Sequence, residues 1–186
     1  MNKLIAVVGM SGSGKSIATD YLEKKGWNKI YFGGVIYDKM KEAGIEITPE
    51  SQKIFRENLR KQYGMGVIAT LLLDKIENAY NEKNTVLDGL YSWDEYLILK
   101  EKFGEVLKLI CICCDKNIRY ERVANRAERP FNHEEIIQRD ISEIENSAKG
   151  GPIAYADYFI FNNGDLEAYE KRLKEILKLI DNEGEI

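Results

Sequence analysis

The chain has 186 residues, 44% hydrophobic and 31% charged, which suits a single globular domain with its own core rather than two full domains. A formal net charge of −4 argues against a nucleic-acid polymer as partner, because a sequence-independent binder presents a net basic surface. No apolar run approaches the roughly 20 residues that cross a bilayer, and the first residues lack a signal-peptide layout, so a cytoplasmic protein with no membrane partner is expected.

In chain order, Leu4 to Val8 reads as a buried strand, followed by a glycine loop and a helix from about Lys15 to Lys25. Lys29 to Phe32 reads as a second strand. From Gly33 to Tyr80 the pattern is mostly helical, with Phe55, Leu59 and Tyr63, then Ile68, Leu72, Ile76 and Tyr80, recurring every four residues. Thr85 to Asp88 is a third strand. Val106 to Cys114 is a fourth, apolar throughout except for Lys108, as expected where helices cover both faces of a sheet. A helix to about Ala127 follows, and Arg129-Pro130-Phe131-Asn132 breaks it. Helix resumes from Glu134 to Glu145 with Ile137, Ile141 and Ile144 on one side. Tyr158 to Phe161 is a fifth strand. Asp165 caps a last helix whose Leu166, Tyr169, Leu173, Ile176 and Ile180 form a stripe, and the tail from Asp181 is expected to fray. Strands alternating with helices predict an α/β fold with a parallel sheet covered on both faces, in one domain spanning 1–186.

Cys111, Cys113 and Cys114 lie together in the fourth strand. An odd, clustered set is no disulfide framework, and the single histidine, His133, sits in a polar stretch away from them. They read as small buried hydrophobes rather than metal ligands.

Gly9-Met10-Ser11-Gly12-Ser13-Gly14-Lys15-Ser16 matches G-x-x-x-x-G-K-[ST] in full. Backbone N–H groups that turn inward around a polyphosphate need positive φ angles and close approach, which glycine permits. The motif assigns Lys15 to the β- and γ-phosphates and the Ser16 hydroxyl to Mg²⁺, with the positive end of the following helix facing the anion. A buried strand before the loop and a helix after it are the context that separates this motif from a chance glycine turn. ATP and Mg²⁺ are the expected ligands. Asp88, at the end of the third strand, is the candidate second metal ligand or proton acceptor. The competing reading is a turn residue ahead of Gly89.

The chain holds eight arginines and nineteen lysines, yet Arg119, Arg122, Arg126, Arg129 and Arg139 fall within one stretch. That local switch to arginine points to planar, bidentate phosphate recognition. Arg119, Arg122 and Arg126, at i, i+3 and i+7, are expected along one helical face, and Arg139 on the next helix. Together they suggest a lid over 119–140 whose Arg126 and Arg139 reach the transferring group. The bland alternative is a solvated helix whose arginines pair with Glu121, Glu128 and Glu134.

The cradle, Val86-Leu87-Asp88-Gly89 and the arginine segment resemble the nucleoside monophosphate kinase superfamily. The spacing of Arg122, Arg126 and Arg139, and the stretch Ala156 to Leu166, look more like dephospho-CoA kinase. Phe32-Gly33-Gly34-Val35-Ile36, Asp88-Gly89 and Arg139-Asp140 are similar to a largely archaeal family of adenylate-kinase-related proteins. The resemblance implies a three-layer P-loop fold with a five-stranded parallel sheet in order 2-3-1-4-5. It also implies a helical acceptor-binding insert over 33–80, a mobile lid, Arg122 among the nucleotide-binding residues, and Asn163 near the adenine. Where relatives carry two acceptor-gripping arginines, this chain has Tyr37 and Tyr91, so the acceptor half is rewritten. The expected function is an ATP-dependent phosphotransferase, monomeric or homodimeric, acting on a small nucleotide-like or coenzyme-like acceptor. The alternative is a nucleotide-binding sensor that does not transfer. Ordinary AMP is expected to be a poor acceptor unless Arg56 or Arg60 replaces the missing cations.

Overall fold

The computed structural model describes residues 2–127 and 130–183. Five strands, β1 (Leu4–Val8), β2 (Asn28–Tyr31), β3 (Thr85–Asp88), β4 (Leu107–Cys113) and β5 (Tyr158–Phe161), form one sheet in the order β2-β3-β1-β4-β5. All its pairings are parallel, and Leu4 stands opposite both Thr85 and Leu107. The expected fold and strand order are therefore present.

Alternation along β1 divides the core. Leu4, Ala6 and Val8 pack with Phe32 and Met40 of α2 (Phe32–Glu42), Leu72 and Ile76 of α4 (Val67–Glu82) and Leu99 of α5 (Trp93–Phe103). Ile5 and Val7 face the other way, onto Ala18 and Leu22 of α1 (Lys15–Lys24) and Tyr169, Leu173 and Ile176 of α9 (Leu166–Glu183). The sheet is thus the middle of three layers, and its carboxyl edge carries the loops that form the site.

Several boundaries differ from expectation. Phe32 opens α2 rather than closing β2, and the expected helical stretch after it is three helices, with α3 (Pro49–Tyr63) between α2 and α4. Two helices went unexpected: α5, and the short α8 (Gly150–Ala154). α5 begins with a capping box in which Ser92 Oγ accepts from Glu95 N and the Glu95 carboxylate accepts from Ser92 N. α6 (Lys116–Ala124) stops three residues before Ala127, so Arg126 lies beyond it and does not share a helical face with Arg119 and Arg122.

In α7 (His133–Glu145) the inward residues are Ile136, Asp140 and Glu143, whereas Ile141 and Ile144 are exposed. The helix turns a polar face inward because Asp140 and Glu143 find cationic partners there. Leu166 is likewise exposed and does not join the buried stripe of α9. That helix continues through Asp181, which pairs with Lys3, so the chain does not fray there. Arg129, Glu128 and the tail beyond residue 183 lie outside the described residues.

Candidate active site

The chain leaves β1 at Gly9 and folds into a tight loop closed by Ser13 N donating to Met10 O at 3.2 Å. Gly12 (φ 80°) and Gly14 (φ 99°) hold left-handed backbone. A Cβ on Gly12 would lie 2.6 Å from Val123 Cγ2 and 2.9 Å from Arg119 O, and one on Gly14 only 2.3 Å from Asn162 Nδ2. Both positions need glycine on conformational and on steric grounds. The loop leads directly into α1 with Gly14 as its N-cap, so it ends at a helix N-terminus, whose first amides lack intrahelical partners and suit a polyphosphate. Ser13 Oγ is buried in the loop with no partner among the described residues. These features fit a nucleotide's phosphates.

Lys15 folds back over the loop, its Nζ donating to Met10 O at 3.0 Å. Burial lowers its pKa, while the Glu143 and Asp88 carboxylates oppose that shift. Asp88 ends β3, paired in register with Val7. The Thr19 hydroxyl lies 3.2 Å from Ser16 O and 3.3 Å from Asp88 Oδ2, which sets Asp88 against the first turn of α1. Burial raises the Asp88 pKa, and the Lys29 and Lys15 ammoniums counter it, Lys29 Nζ standing 3.9 Å away. An oxygen pair drawn from Ser16 and Asp88 suits Mg²⁺, a hard cation that prefers hydroxyl and carboxylate ligands.

The arginine segment divides into distinct places. Arg119 is buried and grips Asp140 with both terminal nitrogens, at 3.0 and 2.6 Å, while also donating to Ser11 O at 2.8 Å. It ties α6 and α7 to the cradle. Arg122 donates to Asn162 O at 2.8 Å and to Cys114 Sγ. Arg126 is exposed, its guanidinium 4.9 Å from the centre of the Phe131 ring. Arg139 is half exposed and donates to Glu143 Oε1 at 3.0 Å. Asn163 accepts from Asp115 N at 2.8 Å, whereas its neighbour Asn162 reaches the cradle itself, donating to Ser13 O at 2.8 Å. The expected cradle residues, Asp88 and Arg139 thus come together, while Arg126 and Asn163 stand further out.

Beside the cradle lies a cavity of about 440 Å³, lined among others by Tyr37, Arg56, Tyr91, Arg139, Glu143 and Lys149. Tyr91 is where the resemblance expected an arginine. Its half-buried ring lies beneath the Lys149 ammonium, 4.5 Å from Nζ, and desolvation of the phenol pushes its pKa up. Arg60 is committed elsewhere, to the buried Glu95 carboxylate at 3.2 Å. Arg56 makes no hydrogen bond or ion pair with any described residue, and burial lowers its pKa.

Lys149 and Glu143 escaped the sequence reading. Lys149 is 4% exposed, with Nζ 2.8 Å from Glu143 Oε2, and burial followed by the nearby Lys15 charge lowers its pKa to about 7. The available signals were faint: a lysine just before Gly150-Gly151, and a glutamate one helical turn after Arg139.

With that geometry in place, the likenesses are specific. A family model described as an AAA domain matches residues 5–143. A UPF0200 protein of Thermococcus onnurineus (strain NA1) is 32% identical over 181 residues, covering 95% of this chain and 97% of the relative. The chain belongs to the UPF0200 family and carries this AAA domain. Among solved structures, the UPF0200 chain is similar to shikimate kinase from Acinetobacter baumannii in complex with shikimate, with a TM-score of 0.59 at 18% identity, over 98% of this chain and 95% of that one. It is also similar to dephospho-CoA kinase from Campylobacter jejuni, with a TM-score of 0.57 at 15% identity, over 96% and 97%. These likenesses show that the UPF0200 fold is a P-loop kinase fold. No helix among the described residues is long and apolar enough to cross a membrane.

Proposed function

We propose that this protein transfers the γ-phosphate of ATP-Mg²⁺ to a small acceptor that itself carries an anionic group. The observation that carries the reading is a cavity lined by Arg56, Arg139 and Lys149, in a chain of net charge −4, whose wall residue Glu143 accepts from the cradle amide Ser11 N. A nucleotide sensor would have no need of a second cationic cavity at the end of its phosphate cradle.

In this reading, Lys15 and the loop amides hold the phosphates, and Ser16 and Asp88 hold the metal, which supplies charge neutralisation when bound. Arg139 and Lys149 stabilise charge on the group in transfer from the acceptor side. Residues 33–80 form much of the acceptor wall, and the 119–140 segment with α7 forms the lid. Arg56 supplies the acceptor cation that neither Tyr37 nor Tyr91 provides. A nucleotide-like or coenzyme-like phosphate ester matches such a cavity in size and charge. The reading is tested by incubating the protein with γ-labelled ATP and a panel of nucleosides, nucleoside monophosphates and dephospho-CoA. Labelled product is expected only with phosphorylated acceptors. Label passing to none of them, with ATP bound, would favour the sensor.

A further inference from the structure

The Glu143 carboxylate stands where the donor cradle and the acceptor cavity meet. Its Oε2 accepts from Ser11 N, a cradle amide, at 3.1 Å, and pairs with Lys149 Nζ at 2.8 Å. Its Oε1 accepts from Arg139 Nε at 3.0 Å. Arg139 and Lys149 line the cavity on the far side. Lys15, one helical element away, feels the same carboxylate as its strongest opposite charge. Glu143 and Lys149 are each 4% exposed, so their ion pair is buried, while Arg139 reaches it from the half-exposed side.

One inward amide, one ammonium and one guanidinium around an oxyanion make the donor set that phosphate oxygens take. A phosphoryl group passing from the cradle to an acceptor in the cavity must cross this place. A fixed carboxylate and a phosphate cannot share it, since like charges at contact in an enclosed site repel strongly. Nor is Glu143 suited to accept a proton. Burial would raise its pKa, but Lys149, then Arg139 and Lys15, hold it below the usual carboxylate range. The backbone next to Lys149 is unusual as well: Ala148 has φ 49°, and Lys149 N donates back to Glu143 O at 3.2 Å. A non-glycine residue persists in that conformation where its surroundings hold it, and here the turn aims the lysine inward.

We propose that Glu143 is an internal stand-in for the nucleotide's terminal phosphate: it holds Ser11 N, Lys149 and Arg139, and an arriving γ-phosphate displaces it and takes over Lys149 and Arg139. The inference rests on the nucleotide-binding reading above. Its consequence is that binding of a γ-phosphate, and not of a diphosphate, breaks the Glu143 link between α7 and the cradle, while Arg119 keeps its own tie to Ser11 O. Lys149 then becomes a catalytic residue, touching the group in transfer.

The test is isothermal calorimetry on the full chain with ADP-Mg²⁺ and with the β,γ-imido analogue of ATP. Wild type is compared with Glu143→Gln and Lys149→Met. Glu143→Gln is expected to tighten the imido analogue by about tenfold or more while leaving ADP within about twofold, because only the triphosphate competes with the carboxylate. Lys149→Met is expected to weaken the analogue by about tenfold and to spare ADP. ADP affinity reports an intact cradle in each variant. If Glu143→Gln folds poorly, Glu143→Asp, whose shorter arm cannot hold both contacts, should shift affinities in the same direction. Equal changes for the two nucleotides would overturn this inference alone. Binding of neither nucleotide to wild type would overturn the donor-site reading, and this inference with it.

Discussion

Removing the Glu95 carboxylate is expected to be among the most destabilising single changes in the molecule. Glu95 is fully buried. Its Oε2 accepts from Tyr91 N at 2.8 Å and Ser92 N at 3.1 Å, and its Oε1 pairs with Arg60 at 3.2 Å. Arg60 is itself only 8% exposed in its side chain, and its Nε is already without a partner among the described residues. Glu95→Ala leaves a guanidinium enclosed without its counter-charge. Breaking a buried pair from one side costs about 3–5 kcal/mol. At about 2–4 °C per kcal/mol for a chain of this size, the melting temperature should fall by about 6–20 °C. Removing both partners, as Arg60→Met with Glu95→Leu, should cost far less, about 1–2 kcal/mol, mostly from the lost cap of α5. Thermal and urea unfolding of Arg60→Met, Glu95→Leu and the double close the cycle. A Glu95→Ala loss below about 1 kcal/mol, or a double variant as damaged as the two singles added, would refute the reasoning.

Lys15→Ala should keep the fold but abolish most of the thermal stabilisation given by ATP-Mg²⁺; equal shifts for variant and wild type would refute the cradle assignment. Arg56→Gln should raise the KM for a phosphorylated acceptor by about 10- to 150-fold, the worth of a charged hydrogen bond of about 1.5–3 kcal/mol, with the KM for ATP unchanged. Lys149 adds a pH signature. Its folded pKa lies near 7, below the unfolded value of 10.5, so between those values the unfolded chain binds more protons and stability rises with pH. Wild type should therefore gain melting temperature from pH 7 to pH 10 relative to Lys149→Met; parallel profiles would show that the lysine is not perturbed.

The strands and the cradle were legible because their signals are local. Leu4 to Val8 is an unbroken apolar run, and the glycines of the loop are adjacent in sequence to the lysine they serve. The junction between cradle and cavity was not, because its parts come from distant places: Ser11 meets Glu143 132 residues away, and Ser13 meets Asn162 149 residues away. Polar residues paired across such distances carry no periodicity. In α7 they reversed the apparent pattern, since Asp140 and Glu143 are buried by ion pairing while Ile141 and Ile144 face solvent. The start of α5 was readable but unread, since Ser92-Trp93-Asp94-Glu95 spells a capping box. The helical face expected to carry Arg126 beside Arg119 and Arg122 ends earlier, at Ala124.

The apolar cluster joining α6 to α7 is small, built on Tyr120, Val123 and Ile136, and it stands apart from the two large clusters flanking the sheet. What else fastens this hairpin to the rest is a few polar contacts: Arg119 to Ser11 O, Arg122 to Asn162 O, and Glu143 to Ser11 N and Lys149. A segment held by so little hydrophobic area has its own, lower opening free energy, and it can swing out as a unit while β1 and β4 remain fully protected. The segment proposed as the lid is therefore held to the rest of the fold by little apolar area.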